Sequence, residues 1–219
     1  MRAGSGWGPL AGTGRVADEL WLLAHDDATG RPFLHPRAAG LGVAGGLLCE
    51  LLLAGVIRCE PAVVLAPGAG RPGDELAGRV AEVIAAEPGV LGAGEWLAFL
   101  GRTAAGDVAR RLAAAGYLAA VPGRWRRGAR WRPADPDRAF APITRARAAL
   151  DPARPVTAEA GTLAGLAVAC GLGPRLLAYV PPGSHRNPDD MVAVLPDGQR
   201  EVIAQVRAAV DSAVLAQRM

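Results

Sequence analysis

Lysine is absent from this chain: all 24 of its basic residues are arginine. A Schiff-base lysine, a lysine general base and a Walker-type phosphate loop are excluded together, because each depends on a primary amine. Cysteine is scarce. Cys49, Cys59 and Cys170 form no CxxC pair, and two of them fall in apolar helical runs where a free thiol behaves as a small hydrophobe. The chain therefore reads as a reduced cytosolic protein without a disulfide framework. Its histidines, His25, His35 and His185, lack the spacing of a helical zinc site, and Ser5, Ser184 and Ser212 all lie outside a GxSxG turn. Asp18 with Glu19, and Asp189 with Asp190, read as helix-start or turn acids rather than as catalytic dyads. No metal, no cofactor and no enzymatic activity is expected. The N-terminus lacks the continuous apolar stretch of a secretory signal, so residues 1–13 read as a frayed tail before a single domain over 14–219.

What is present is apolar material, 51% of the residues, enough for a substantial core. The weight of Ala, Gly, Pro and Arg points to a GC-rich coding genome of bacterial type. Segments 38–57 and 156–180 are apolar enough to raise the question of a membrane span. Glu50 and five glycines in the first, and Glu159, Arg175 and an internal Gly-Pro in the second, favour buried core helices instead.

The charge is local. The formal net charge is +3, and the segment 123–132 alone holds Arg124, Arg126, Arg127, Arg130 and Arg132 together with Trp125 and Trp131. Guanidinium forks bind phosphate oxygens bidentately and indoles favour the boundary between apolar and wet phases, so this segment suits an anionic surface, either lipid headgroups or nucleic acid. The competing reading is a solvated strand pair whose tryptophans cap the core.

Periodicity and punctuation predict a mainly α fold: helices near 16–25, 41–55, 74–86, 95–100, 107–115, 138–150, 158–178 and 201–217. The face of the third is expected to bury Leu76, Val80, Val83 and Ile84. A hairpin is expected to pair 56–59 with 62–65, and 67–73 and 181–190 read as loops. One pattern occurs twice, a helix closed by Gly55 or Gly116 that feeds two apolar strand residues and a hairpin. Gly40-Leu41-Gly42-Val43-Ala44-Gly45 satisfies GxGxxG, but the prolines Pro32 and Pro36 stand where a dinucleotide site needs a buried strand. Close helix packing through small residues is the favoured reading, with a dinucleotide-binding enzyme as a third-ranked alternative.

The ordered motifs resemble a known family. Val16-Ala17-Asp18-Glu19-Leu20-Trp21-Leu22-Leu23-Ala24-His25-Asp26-Asp27 leads to Thr29-Gly30-Arg31, followed by Gly45-Gly46-Leu47-Leu48-Cys49-Glu50-Leu51 and Ala54-Gly55-Val56-Ile57. Arg111-Leu112, Gly116-Tyr117-Leu118 and Thr162-Leu163-Ala164-Gly165-Leu166-Ala167-Val168-Ala169-Cys170-Gly171-Leu172 continue the series. From about residue 15 onward the chain is similar to the Golgi phosphoprotein 3 family. That resemblance implies a helical domain with a hydrophobic central helix and a projecting β-hairpin. It also implies peripheral membrane attachment: eukaryotic members bind phosphatidylinositol 4-phosphate, sort glycosyltransferases as adaptors, and self-associate through the hairpin. The tryptophan and three arginines of their headgroup pocket align here with His35, Ala44, Arg102 and Ala105, so only Arg102 keeps its guanidinium. Losing two arginines removes charge-assisted bonds of roughly 1.5–3 kcal/mol each.

The expected function is therefore that of a non-enzymatic, peripherally attached protein at the cytoplasmic membrane face. Its anionic phospholipid partner, a phosphoinositide or another acidic lipid, is contacted by Arg102, His35, Arg37, Arg124, Trp125, Arg126, Arg127, Arg130 and Trp131. A membrane-protein client and self-association are further expectations. The alternative is a winged-helix nucleic-acid binder, since a helix ending in AGYL before a basic wing is what such a domain presents. Leu112, Ala113, Ala114 and Ala115 offer no bidentate base contacts, which counts against it.

Overall fold

A computed structural model describes residues 13–60, 64–89, 91–121, 130–178, 180–181 and 183–216. Among them are ten helices and two antiparallel hairpins: α1 Val16–Leu23, α2 Pro36–Leu53, β1 Ile57–Glu60, β2 Val64–Pro67, α3 Glu75–Ala86, α4 Ala93–Leu100 and α5 Ala104–Ala114 come first. β3 Leu118–Val121, β4 Arg130–Pro133, α6 Pro136–Leu150, α7 Ala158–Ala169, α8 Gly173–Leu177, α9 Pro188–Ala193 and α10 Asp197–Ala216 follow. The mainly α fold is as expected. Gly55 and Gly116 close α2 and α5 with φ of +65° and +76°, and each helix then feeds a hairpin, so the repeated pattern is real.

α2 is the central helix, buried along most of its length between α1, α4, α5, α7 and α10. By length and composition it could cross a membrane, yet 72% of its apolar window is buried inside the protein. Small residues permit this. A Cβ on Gly45 would lie 2.6 Å from Val206 Cγ2, one on Gly46 would lie 2.7 Å from the Ala17 backbone, and one on Gly42 would collide with Cys170 Sγ. The Gly40–Gly45 run thus lies within a helix and serves packing, not the strand-to-helix turn that a pyrophosphate needs.

Several boundaries depart from expectation. α2 begins five residues before Leu41, because His35 Nδ1 accepts the Arg37 N–H (3.3 Å) as an N-cap and Pro36 suits the first turn. The expected 158–178 helix is two, since Gly171, at φ +88°, closes α7, and Pro174 suits the first turn of α8. The first hairpin pairs Ile57 with Pro67, two residues beyond the predicted return strand. α9 falls in the expected 181–190 loop, although Asn187 as N-cap, Pro188 and two following aspartates are helix-start signals. Val83 lies on the solvent side of α3, which buries Leu76, Ala77, Val80 and Ile84.

Asp18 and Glu19 stand in the first turn of α1, as expected, but they are also among the most buried residues in the protein. Arg111 of α5 ties three elements together there. Its Nε donates to Asp18 Oδ1 (2.8 Å), Nη2 to Glu50 Oε1 (3.2 Å) and Nη1 to Asp74 Oδ2 (3.0 Å), while Glu50 Oε1 also accepts the Ala17 N–H (2.7 Å). Asp74 caps α3 through the Ala77 N–H and pairs with Arg15, and Glu19 pairs with Arg145. One guanidinium thus fixes α1, α2 and the start of α3 on α5. Arg111→Ala would strand three carboxylates and is expected to cost about 3–5 kcal/mol of stability.

Burial pushes the Glu50 carboxyl up to about 6, overriding Arg111 and the Ala17 amide, which favour the charged form. Asp18 and Glu19 are raised for the same reason, while the hydrogen bonds and arginines around Asp74 hold that group low. A raised folded-state pKa contributes stability that is fully present below the unfolded value, near 4.5, and is lost as pH rises through about 6. The Glu50 contribution should therefore fall by about 2 kcal/mol between those limits. Urea unfolding of wild type and Glu50→Gln across that window should give a difference with this slope, and a flat difference would refute it. Gly45→Val is expected to lower stability by about 1–3 kcal/mol through overpacking. Saturable NADH or FAD binding by the wild type, abolished in a folded Gly45→Val variant, would instead revive the dinucleotide reading.

Candidate anion-binding end of the bundle

The glycine contacts fix the register of the helices and hence which residues share an end. α10 runs antiparallel to α2, since Gly198 meets Leu52 and Val206 meets Gly45. At 1.5 Å per residue in both helices, the last turn of α10 lies level with the first turn of α2. α7 also approaches this end, where Cys170 faces Gly42, and the turn after α4 arrives there too, its Gly101 carbonyl resting against Gly40. α1 runs the opposite way to α2, with Ala17 against Gly46, so the α1–α2 turn caps the same end. Its Gly30 lies against the Trp131 carbonyl and Arg132, which fastens the second hairpin beside it. The Arg111 cluster occupies the opposite half of the bundle, around Glu50.

This register gathers Arg31, Arg37, Arg102, Arg130 and Arg132, all exposed, and none has a carboxylate within ion-pair distance among the described residues. Elsewhere arginines are mostly engaged. Arg58, Arg79, Arg110, Arg154, Arg200 and Arg207 hold carboxylates, and Arg147 and Arg186 hold backbone carbonyls, with Arg71 on the loop before α3 as an exception. Acidic groups near the arginine-bearing end include Asp26, Asp27 and Asp211, and Asp135 and Asp137 follow Arg132 by three and five residues. Asp26 accepts from the Thr29 N–H (2.7 Å) and hydroxyl (2.7 Å), and these bonds lower its pKa.

Of the residues singled out from the sequence, Arg37 and Arg102 are brought to one end by the Gly40–Gly101 contact, and Arg130 joins them through Gly30. His35 serves as the α2 cap at this end. Trp131 is only partly exposed and packs on the core, opposite Ala120 in the hairpin, which is the core-capping role. Arg124, Trp125, Arg126 and Arg127 lie outside the described residues. Ala44 is 0% exposed and Ala105 is half-buried; of the four positions matched to the pocket by resemblance, only Arg102 carries a guanidinium.

Two contributors escaped the sequence reading. Arg175 of α8 stacks its guanidinium 4.2 Å from the centroid of the exposed Phe33 ring, and Arg138 sits 4.0 Å over Tyr117 at the hairpin base. Their partners are distant in sequence, so no local motif announces them. His25, stacked on Trp21 at 3.7 Å, is half-buried at the start of the α1–α2 turn, and desolvation lowers its pKa. Among the described residues no group of His, Cys, Asp and Glu is arranged to hold a metal.

No curated protein matches the chain. A family model does: that of Golgi phosphoprotein 3 (GPP34) matches residues 16–216. The central apolar helix, the late apolar helix α7 and the hairpin after α5 stand where the motifs of that resemblance placed them. The match spans nearly every described element, and the chain belongs to the Golgi phosphoprotein 3 family.

Proposed function

We propose that this protein is a non-catalytic peripheral membrane protein that docks through the arginine-bearing end of its bundle on anionic phospholipid at the cytoplasmic face of a membrane. The observation that carries this reading is the segregation of arginines: the exposed ones without a carboxylate or carbonyl partner among the described residues, Arg71 excepted, collect at one end, whereas most others are engaged within the fold. A cation left unpaired next to others repels them, and an anionic surface relieves that repulsion at about 1 kcal/mol per arginine.

The reading favours acidic lipid in general over a phosphorylated inositol ring. A ring-specific pocket needs convergent guanidinium groups, and of the aligned positions Ala44 is buried and Ala105 carries no charge. The exposed arginines come from several elements, the α1–α2 turn, the start of α2, the turn after α4 and β4, a distribution suited to a plane of phosphates. The hairpin residues Arg124, Trp125, Arg126 and Arg127 extend the same basic segment in sequence.

Co-sedimentation with phosphatidylglycerol vesicles should fall steeply as salt rises, because surface attraction is screened over about 8 Å at physiological ionic strength. Arg37→Ala with Arg102→Ala and Arg130→Ala should weaken it by about a hundredfold, at about 1 kcal/mol per charge. Equal binding to neutral vesicles would contradict the reading. Binding confined to vesicles with phosphatidylinositol 4-phosphate would mean a rebuilt headgroup pocket, and tight duplex DNA binding without lipid binding would favour the winged-helix alternative.

A further inference from the structure

Four of the seven exposed large apolar side chains among the described residues lie at the ends of elements that meet: Phe33 (46% exposed) on the α1–α2 turn, Phe99 (52%) in the last turn of α4, and Val214 (41%) and Leu215 (63%) in the last turn of α10, while Val83 on α3, Phe140 on α6 and Val194 after α9 lie on other elements. The helix register brings the first three sites to the arginine-bearing end. Leu215 lies level with Pro36, since Val206 lies level with Gly45 and both helices rise equally per residue. Phe99 is one turn before Arg102, whose N–H returns to the Phe99 carbonyl (3.4 Å), and the intervening Gly101 touches Gly40. Phe33 is held under the Arg175 guanidinium, whose Nε has no hydrogen-bond partner among the described residues.

Apolar side chains interleaved with unpaired arginines at one end of a helical bundle match one environment, the boundary between phosphate headgroups and acyl chains. An aqueous protein partner would need a complementary acidic and apolar face, whereas an acidic bilayer offers both layers in the right order, phosphate outside and hydrocarbon beneath. We propose that Phe33, Phe99 and Leu215 enter an acidic bilayer as an insertion rim, with Arg37, Arg102 and Arg175 on the phosphates around them. The protein then stands end-on, the N-terminus of α2 toward the membrane and the Arg111 cluster away from it. This rests on the lipid reading above and adds an orientation and an apolar anchor separate from the basic hairpin. Arg175 acts here as a positioning residue, since its cation–π contact fixes the Phe33 ring at the surface.

The test uses the full chain and phosphatidylglycerol-containing vesicles. Cys49 and Cys170 are buried, with thiol pKa values pushed well above the ordinary range, so in a Cys59→Ser background a single added surface cysteine takes an environment-sensitive fluorophore selectively. Labels at Phe33→Cys and Leu215→Cys should shift to the blue on vesicle addition. A label at Val194→Cys, equally open at 67% exposure but beside Leu195, which faces Gly161 at the far end of α7, should not shift. Phe33→Ser with Phe99→Ser and Leu215→Ser should weaken co-sedimentation about tenfold or more while leaving the circular dichroism spectrum unchanged. If the wild type binds these vesicles but the labels at 33 and 215 stay silent, or the serine variant binds as well as wild type, the insertion rim is wrong and the electrostatic reading stands. Failure of the wild type to bind at all overturns both.

Discussion

The close approach of α2 to its neighbours is the constraint on which the rest of this structure depends. Gly42, Gly45 and Gly46 present no side chain toward Cys170, Val206 and Ala17, so each neighbouring helix settles against the α2 backbone at one register. A small-residue seam of this kind transmits position along the helices: once Gly45 faces Val206, the last turn of α10 must reach the first turn of α2. The same logic seats the Gly101 turn on Gly40 and the α1–α2 turn on the second hairpin. The composition of each end of the molecule is thus a consequence of packing in its middle.

One residue type does opposite work at the two halves. At Glu50, arginine is an internal tie: Arg111 is nearly enclosed and bridges α1, α2 and the cap of α3, and burial makes that arrangement sensitive to the protonation of its carboxylates. At the other end arginine is left to solvent, on turns and helix starts that cannot bury it. The absence of lysine sharpens both roles, since a planar fork can hold several carboxylates inside and can bind phosphates bidentately outside.

The chain belongs to the Golgi phosphoprotein 3 family, and of the four positions that the resemblance aligns with the headgroup pocket of eukaryotic members only Arg102 is an arginine. Ala44 lies deep in the helix seam, where α2 has no room for a long polar side chain, and Arg102 stands without an arginine at Ala105. Arg37, Arg175 and the second hairpin bring guanidinium groups to the same end by other routes. On the lipid reading proposed above, a surface assembled in this way would favour charge density over ring stereochemistry.

Local pattern in the sequence was sufficient for the helical class, the apolar central helix, the two glycine-closed helices that feed hairpins, the packing role of Gly40 to Gly45, and the family. These properties depend on neighbours in the chain: apolar periodicity, a glycine free to adopt positive φ, and prolines that deny a strand. The sequence also marked the basic hairpin, because unbalanced charge is visible as composition, while Arg102 and Arg37 were marked by the family resemblance. It could not reveal that Asp18 and Glu50 meet Arg111, that Arg175 covers Phe33, or that Leu215 shares an end with Phe99. Those pairings join residues far apart in the chain, and they arise only when the glycine seam of α2 sets the helices in register. The tertiary structure decided them because a residue's neighbours across a helix interface depend on the rotation and translation of both helices, which no local stretch of sequence encodes.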